Sequence, residues 1–418
     1  MALKAVQCPS NRTALGQPRA IEFFQGTLAV ESEFDEARIF DTTLRDGEQA
    51  PRVSFSYDDK REIAALLDAM GTHVIEAGFP VNSDAEFEAI RDIANSTRNT
   101  VCGLARIVDK DIEAALDAGV GMVHVFASTS DVQIEDSMHS TREEVKERSV
   151  ECVERVVEAG VEVMFSPMDA TRTDPQYLAE ITEAVSEVGV DWINIPDTVG
   201  VATPSRFADL TGFVLDHTDA RVDVHTHNDF GLASANALAG FEAGASQAQV
   251  SVNGIGERAG NAAYEEVVMA AEAIYGADTG IDTTKIAELS QLVSERSGID
   301  VPPNKPVVGA NAFAHESGIH AAGIIENSDT FEPGVMTPEM IGVQRELVLG
   351  KHTGTHSVRQ HLREAGYEPT DDQVREVTRR VKDFGAEKNR VNREKLLEFA
   401  RDVGVETVEE TEEEEVRA

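Results

Sequence analysis

Apolar positions in this chain follow two rhythms that take turns. Short runs rich in Val, Ile and Phe close on polar or glycine-containing residues, and longer Ala- and Glu-rich stretches with helical spacing separate them. Eight β-rich runs occur in order: RIFDTTLRDG (38–47), HVIEAGFP (73–80), TVCGLAR (100–106), MVHVFASTS (122–130), VEVMFSPMDATR (161–172), DWINIPDTVG (191–200), RVDVHTHND (221–229) and AQVSVNGIGERAGN (248–261). DDKREIAALLDAM and REEVKERSVECVERVVEAG are examples of the intervening helices. Eight βα units in about 240 residues is the size of a closed (β/α)8 TIM barrel, an α/β fold; a doubly wound open sheet is the alternative.

The same rhythm sets the expected boundaries. Residues 1–37 lack periodicity and read as an N-terminal arm, 38–275 as the barrel, and 276–345 as a connector containing PPNKPVVGANAFAHESGIHAAGII. Residues 346–408 form a small helical C-terminal appendage, broken near Gly366–Pro369 and again near Gly385, and 409–418 form an acidic tail.

Charge narrows the partners. With 76 acidic against 37 basic residues the net charge is −39, which would repel nucleic acid and anionic membranes. The acidity is spread along the chain, as expected of a halophilic protein whose carboxylates stay hydrated in a salt-rich cytoplasm; an acidic mesophile is the alternative. Neither a run of 18 apolar residues nor a signal-peptide pattern is present, so the expected location is cytoplasmic. Cys8, Cys102 and Cys152 are widely spaced and form no metal or disulfide pattern, which fits a reducing compartment.

Candidate chemistry sits at the strand ends, where barrels of this kind place their active sites. In VDVHTHNDF (222–230), His225 and His227 are two apart on a strand and aim at one point. Strand 1 ends in Arg45-Asp46-Gly47-Glu48-Gln49, and strand 8, its neighbour in a closed barrel, runs to Asn261. One carboxylate and two imidazoles, with an amide nearby, suit a divalent cation with positions open for substrate. The bland reading is that one histidine is a hydrogen-bonding core residue. The glycines of NGIGERAGN follow the last strand and lack dinucleotide spacing, so they read as a tight loop.

DTTLRDGEQ, HTHNDFGLASANALAGFEAGA, NGIGERAGNAAYEEV, NAFAHESGIH and LGKHTG together resemble the signature stretches of the 2-isopropylmalate, citramalate and homocitrate synthases, over roughly residues 38–405. These are the Claisen-condensing branch of the DRE-TIM metallolyases. The resemblance implies condensation of acetyl-CoA with a 2-oxo acid and a divalent metal (Mg, Mn or Zn) held by Asp46, His225 and His227 with Asn261. Arg45 would offset negative charge on the reacting oxygens, and Thr198 would bind the substrate carboxylate, with Gln49 also in contact with substrate. His124, Ser166 and Asn194 match positions lining the side-chain pocket; the ends of strands 2 and 3, Pro80–Asn82 and Arg106, are expected to add to it. Where the family commonly has a glutamate after strand 5, this chain has Met168, leaving Asp169 as a candidate acid–base residue. A homodimer with a shared active site is implied, with His320 reaching the partner's barrel and His315 as runner-up.

Among the three 2-oxo acids, 2-oxoisovalerate is the expected substrate, because strand 2 ends without the cation a distal carboxylate would need; pyruvate and 2-oxoglutarate follow. An acyl-CoA lyase of the same superfamily would place a cysteine in the last strand's loop, and 253–261 has none. A biotin-dependent carboxyltransferase would use a mid-barrel lysine, and no lysine lies between 146 and 285. A non-catalytic role is the remaining class, opposed by the intact Arg45, Asp46, His225 and His227 set. The chain's short extent beyond the helical appendage gives a last expectation, that leucine does not inhibit through a further domain.

Overall fold

A computed structural model describes residues 34–315, 336–344, 346–387 and 391–407. Eight parallel strands close into a barrel in sequence order: β1 Arg38–Asp41, β2 Val74–Gly78, β3 Thr100–Arg106, β4 Met122–Ser128, β5 Glu162–Met168, β6 Trp192–Asp197, β7 Arg221–Thr226 and β8 Gln247–Val250. The open-sheet alternative is excluded by the pairing of β8 with β1, Arg38 opposite Gln247 through Asp41 opposite Val250.

Helices wrap the barrel because each carries one apolar face and a defined start. Ser56 and Thr141 begin the helices Tyr57–Met70 and Arg142–Glu158 with capping boxes, and Pro175 and Pro204 begin two others at the first turn. Ile63, Leu67, Ile90, Ile112, Val153, Ile181 and Phe207 fill the layer between helices and strands. Inside the barrel, Phe40, Val74, Cys102, Met122, Met164 and Trp192 form a separate fully buried layer. Cys102 is thus the small core residue its apolar run predicts.

Past the barrel, the helix Ile286–Ser297 packs back against the first one. The helices Thr355–Glu364, Asp371–Ala386 and Arg393–Asp402 surround a core of their own, built on Val358, Leu362, Val374, Val377, Val381 and Leu396. Among the described residues no helix is long and apolar enough to cross a membrane.

Candidate active site

The β-runs end earlier than their sequence stretches suggest, and the extra residues build the site. β1 stops at Asp41, and residues 42–46 turn tightly, with the amides of Arg45, Asp46 and Gly47 all donating to the Thr42 carbonyl. This turn lifts Arg45 and Asp46 over the barrel mouth. β7 carries His225 inward, and His227 follows just past the strand, bridged to Asn261. The glycines hold the loop after β8 against itself: a Cβ on Gly256 would lie 2.6 Å from Asn261 Nδ2, and one on Gly260 only 1.9 Å from the Gly254 carbonyl oxygen.

Asp46, His225 and His227 are all buried, and one ligand atom from each lies within 4.8 Å of the others. His225 Nε2 is 3.4 Å and His227 Nε2 3.8 Å from Asp46 Oδ2. His227 Nδ1 donates to the Asp197 carbonyl at 3.3 Å, which turns Nε2 toward the carboxylate. Asp46 Oδ1, His227 Nε2 and Asn261 Oδ1 are buried without a hydrogen-bond partner. The convergent donors of Asp46, His225 and His227 fit a divalent cation. Burial alone would raise the Asp46 pKa, but the Arg45 guanidinium and the neighbouring His225 and His227 rings outweigh it and hold the carboxyl well below its usual range. His225 is shifted down, by burial first.

Sequence reasoning missed Glu76. It is fully buried at the middle of β2, where its Oε2 accepts from Arg45 Nε at 2.7 Å and Thr42 Oγ1 at 2.6 Å, while Oε1 meets His124 Nδ1 at 2.7 Å. Against the burial penalty, Arg45 and His124 pull its pKa down to about 2. The network continues from His124 Nε2 to Ser166 Oγ at 2.6 Å, and Asn194 Nδ2 donates to the same oxygen at 2.7 Å. The only sequence signal was one acidic residue inside the otherwise apolar run HVIEAGFP.

A cavity of about 200 Å³ opens over these groups. Arg45, Asp46, Gln49, His124, Ser166, Asn194, Thr198, His225 and His227 all line it. So do residues given no role beforehand: Leu104, Phe126, Pro196, Gln249, Glu257 and Arg258, with Met168 at the end of β5. Arg258 grips Asp229 through two 2.8 Å bonds and donates to the Thr198 carbonyl at 2.9 Å, stitching three loops at the rim.

Three expectations need correction. Asp169 does not line the cavity: its buried carboxylate is held by Arg172 at 2.7 Å and by Ser130 Oγ at 2.5 Å. Arg106 is absent from the lining because Asp111 captures its guanidinium at 2.6 and 3.1 Å. Pro80–Asn82 also stay outside the cavity; Pro80 instead packs near Gly103. His320 lies outside the described residues. His315 ends a two-residue strand, Ala314–His315, paired with Glu346–Leu347.

Residues 36–293 match the family described as HMGL-like, and residues 307–389 match the homocitrate synthase post-HMGL domain-like family. The chain is 53% identical over 348 residues to a probable 2-isopropylmalate synthase of Methanosarcina mazei, covering 83% of this chain and 67% of that one. It is 46% identical to the 2-isopropylmalate synthase of Sulfolobus acidocaldarius (85% and 92% covered) and 48% identical to homocitrate synthase AksA of Methanopyrus kandleri (88% and 93%). Among solved structures, the hydroxymethylglutaryl-CoA lyase of Pseudomonas aeruginosa superposes with a TM-score of 0.57 at 25% identity, covering 64% of this chain and 96% of the lyase.

Proposed function

The chain belongs to the HMGL-like family, and from that premise we propose that it condenses acetyl-CoA with 2-oxoisovalerate to give 2-isopropylmalate. The observation that carries the substrate choice is the cavity wall. Leu104, Phe126, Met168 and Pro196 are apolar, and the two arginines lining it among the described residues, Arg45 and Arg258, are already paired with carboxylates. A branched aliphatic side chain suits that wall, whereas the distal carboxylate of 2-oxoglutarate would be left without a partner. The 2-isopropylmalate synthase relatives support the same reading, ahead of the homocitrate synthase.

Asp46, His225, His227 and Asn261 would hold the divalent cation, proposed as Mg²⁺, Mn²⁺ or Zn²⁺. When bound, the cation supplies polarisation of the keto carbonyl. Arg45 remains charged, because Glu76 and Asp46 outweigh its burial; it faces the cavity and offsets the negative charge that grows on the reacting oxygens. Thr198 and Gln49 orient the carboxylate end of the substrate. Proton removal from the acetyl methyl falls to a base other than Asp169: Glu257, the one carboxylate besides Asp46 lining the cavity among the described residues, or His320 from a partner subunit. The methyl carbon then bonds to the keto carbon, the keto oxygen takes up a proton to become the hydroxyl, and hydrolysis of the thioester releases CoA and the second carboxylate.

The test is acetyl-CoA-dependent CoA release with a panel of 2-oxo acids, before and after chelation. Chelation abolishes turnover, and added divalent metal restores it. Among the acids, kcat/KM is highest for 2-oxoisovalerate. A higher value for pyruvate or 2-oxoglutarate overturns the substrate, and metal-independent turnover overturns the site.

A further inference from the structure

Beneath the cavity, the barrel interior carries a row of polar side chains with unpaired polar atoms. Asn194 on β6, Asp223 on β7 and Gln247 on β8 are neighbours at one level, and Gln249 stands one step above, level with His225. All four are at most 2% exposed. Asn194 Oδ1, both Asp223 oxygens, both Gln247 side-chain polar atoms and Gln249 Oε1 lack hydrogen-bond partners. Gln249 Nε2 has only the Met164 sulfur at 3.3 Å. Burial pushes the Asp223 pKa well above the usual carboxylate range; the nearby Gln249 and Gln247 amides pull the other way, yet neither closes a hydrogen bond on it.

Leaving that many buried polar atoms unpaired would cost far more than the fold can offset, and ordered buried water is the usual partner of such groups. The row is closed from below. It continues to Arg38 on β1, and Arg38 and Arg221 lie over the Trp192 ring at 5.6 and 4.0 Å. Trp192 Nε1 donates to Glu162 at 2.8 Å. Upward it is open, because Asn194 and Gln249 line the cavity itself.

We infer that ordered waters held by Asn194, Asp223, Gln247 and Gln249 form the floor of the substrate cavity, so that Gln249 sets how long a 2-oxo acid side chain fits. The unpaired atoms of these four side chains supply the polar partners, two to four each, that buried waters need. A side chain longer than that of 2-oxoisovalerate displaces these waters with carbon, which cannot replace their hydrogen bonds, so it binds less well. The inference rests on the condensing reading for its kinetics but not for its structural arm.

The structural arm is a high-resolution crystal structure of the metal-loaded enzyme grown with Rb⁺. Density for water bridging Asp223 to Gln249 or Gln247 supports the floor; a dry gap, or an anomalous Rb⁺ peak there, overturns it whatever reaction the enzyme catalyses. The kinetic arm compares wild type with Gln249→Ala on 2-oxoisovalerate and on a straight-chain 2-oxo acid two carbons longer. The variant's preference for the shorter acid falls about tenfold, the scale of a methylene-sized change in a pocket, through KM more than kcat. Gln249→Met, close in volume but without the amide, covers the case in which the alanine variant does not fold, and moves the preference in the same direction. An unchanged preference in a folded variant overturns the role of Gln249.

Discussion

Glu76 joins two parts of the site: Arg45 at the mouth and, through His124 and Ser166, the wall of the cavity. Glu76→Gln keeps the shape but removes the charge that holds Arg45 and His124 in place. The expected result is a loss in kcat of about 100-fold, the usual scale for misplacing one charge-stabilising group, with metal content by elemental analysis unchanged. A variant with wild-type kcat refutes the role. The residues that sequence reasoning found and those it missed differ in a physical way. His225 and His227 were legible because two imidazoles at strand spacing have one geometric meaning, and Asp46 because β8 must adjoin β1. Glu76 has no companion in its own run; its significance comes entirely from β1 and β4, which only the closed barrel brings near. Asp169 and Arg106 were misjudged for the converse reason, since nearby Arg172 and Asp111 claim them first.

At the scale of elements, strand order and the helices between them could be read from the alternation of apolar runs, because each run has a distinct period and ends in turn residues. Strand ends were less legible. The turn at 42–46 and the loop at 251–261 are shaped by backbone hydrogen bonds that composition does not reveal. The junction of β1 with the residue preceding β2 gives a pH prediction. His73 Nδ1 accepts from the Ile39 amide at 3.2 Å, and burial, helped by Arg38, lowers its pKa from 6.5 to about 4. Between those values the unfolded chain binds a proton that the folded one does not. The contribution is therefore fully present above about pH 6.5 and is lost as pH falls toward 4. Asp41, pushed up to about 7 by burial, acts in the opposite sense, so the readout is the difference between wild type and His73→Gln. Denaturant titrations should show that difference shrinking from pH 7 to pH 4 by on the order of 1 kcal/mol, allowing for solvent screening of a partly exposed ring. A pH-independent difference would refute it.

For the molecule as a whole, the charge of −39 and the proposed partner subunit make two expectations. Molar KCl shortens the screening length to about 3 Å and suppresses self-repulsion, so Tm should rise from low to molar salt; a flat response sinks the halophile reading. If the site is shared between subunits, mixing inactive His320→Ala with inactive Asp46→Ala protein should restore part of the activity through hybrid dimers carrying one intact site. Verified hybrids of folded variants with no recovery count against sharing. Trp192, sealed into the barrel floor between Arg38 and Arg221, is also the chain's single tryptophan. The molecule therefore has one indole emitter, and it reports on the barrel alone. The helices between 355 and 402, with a core of their own, are silent in that signal yet contribute to far-ultraviolet circular dichroism. Unfolding followed by both optical signals should separate the two cores: emission shifts to the red only when the barrel opens, while ellipticity falls in whichever order the two parts melt.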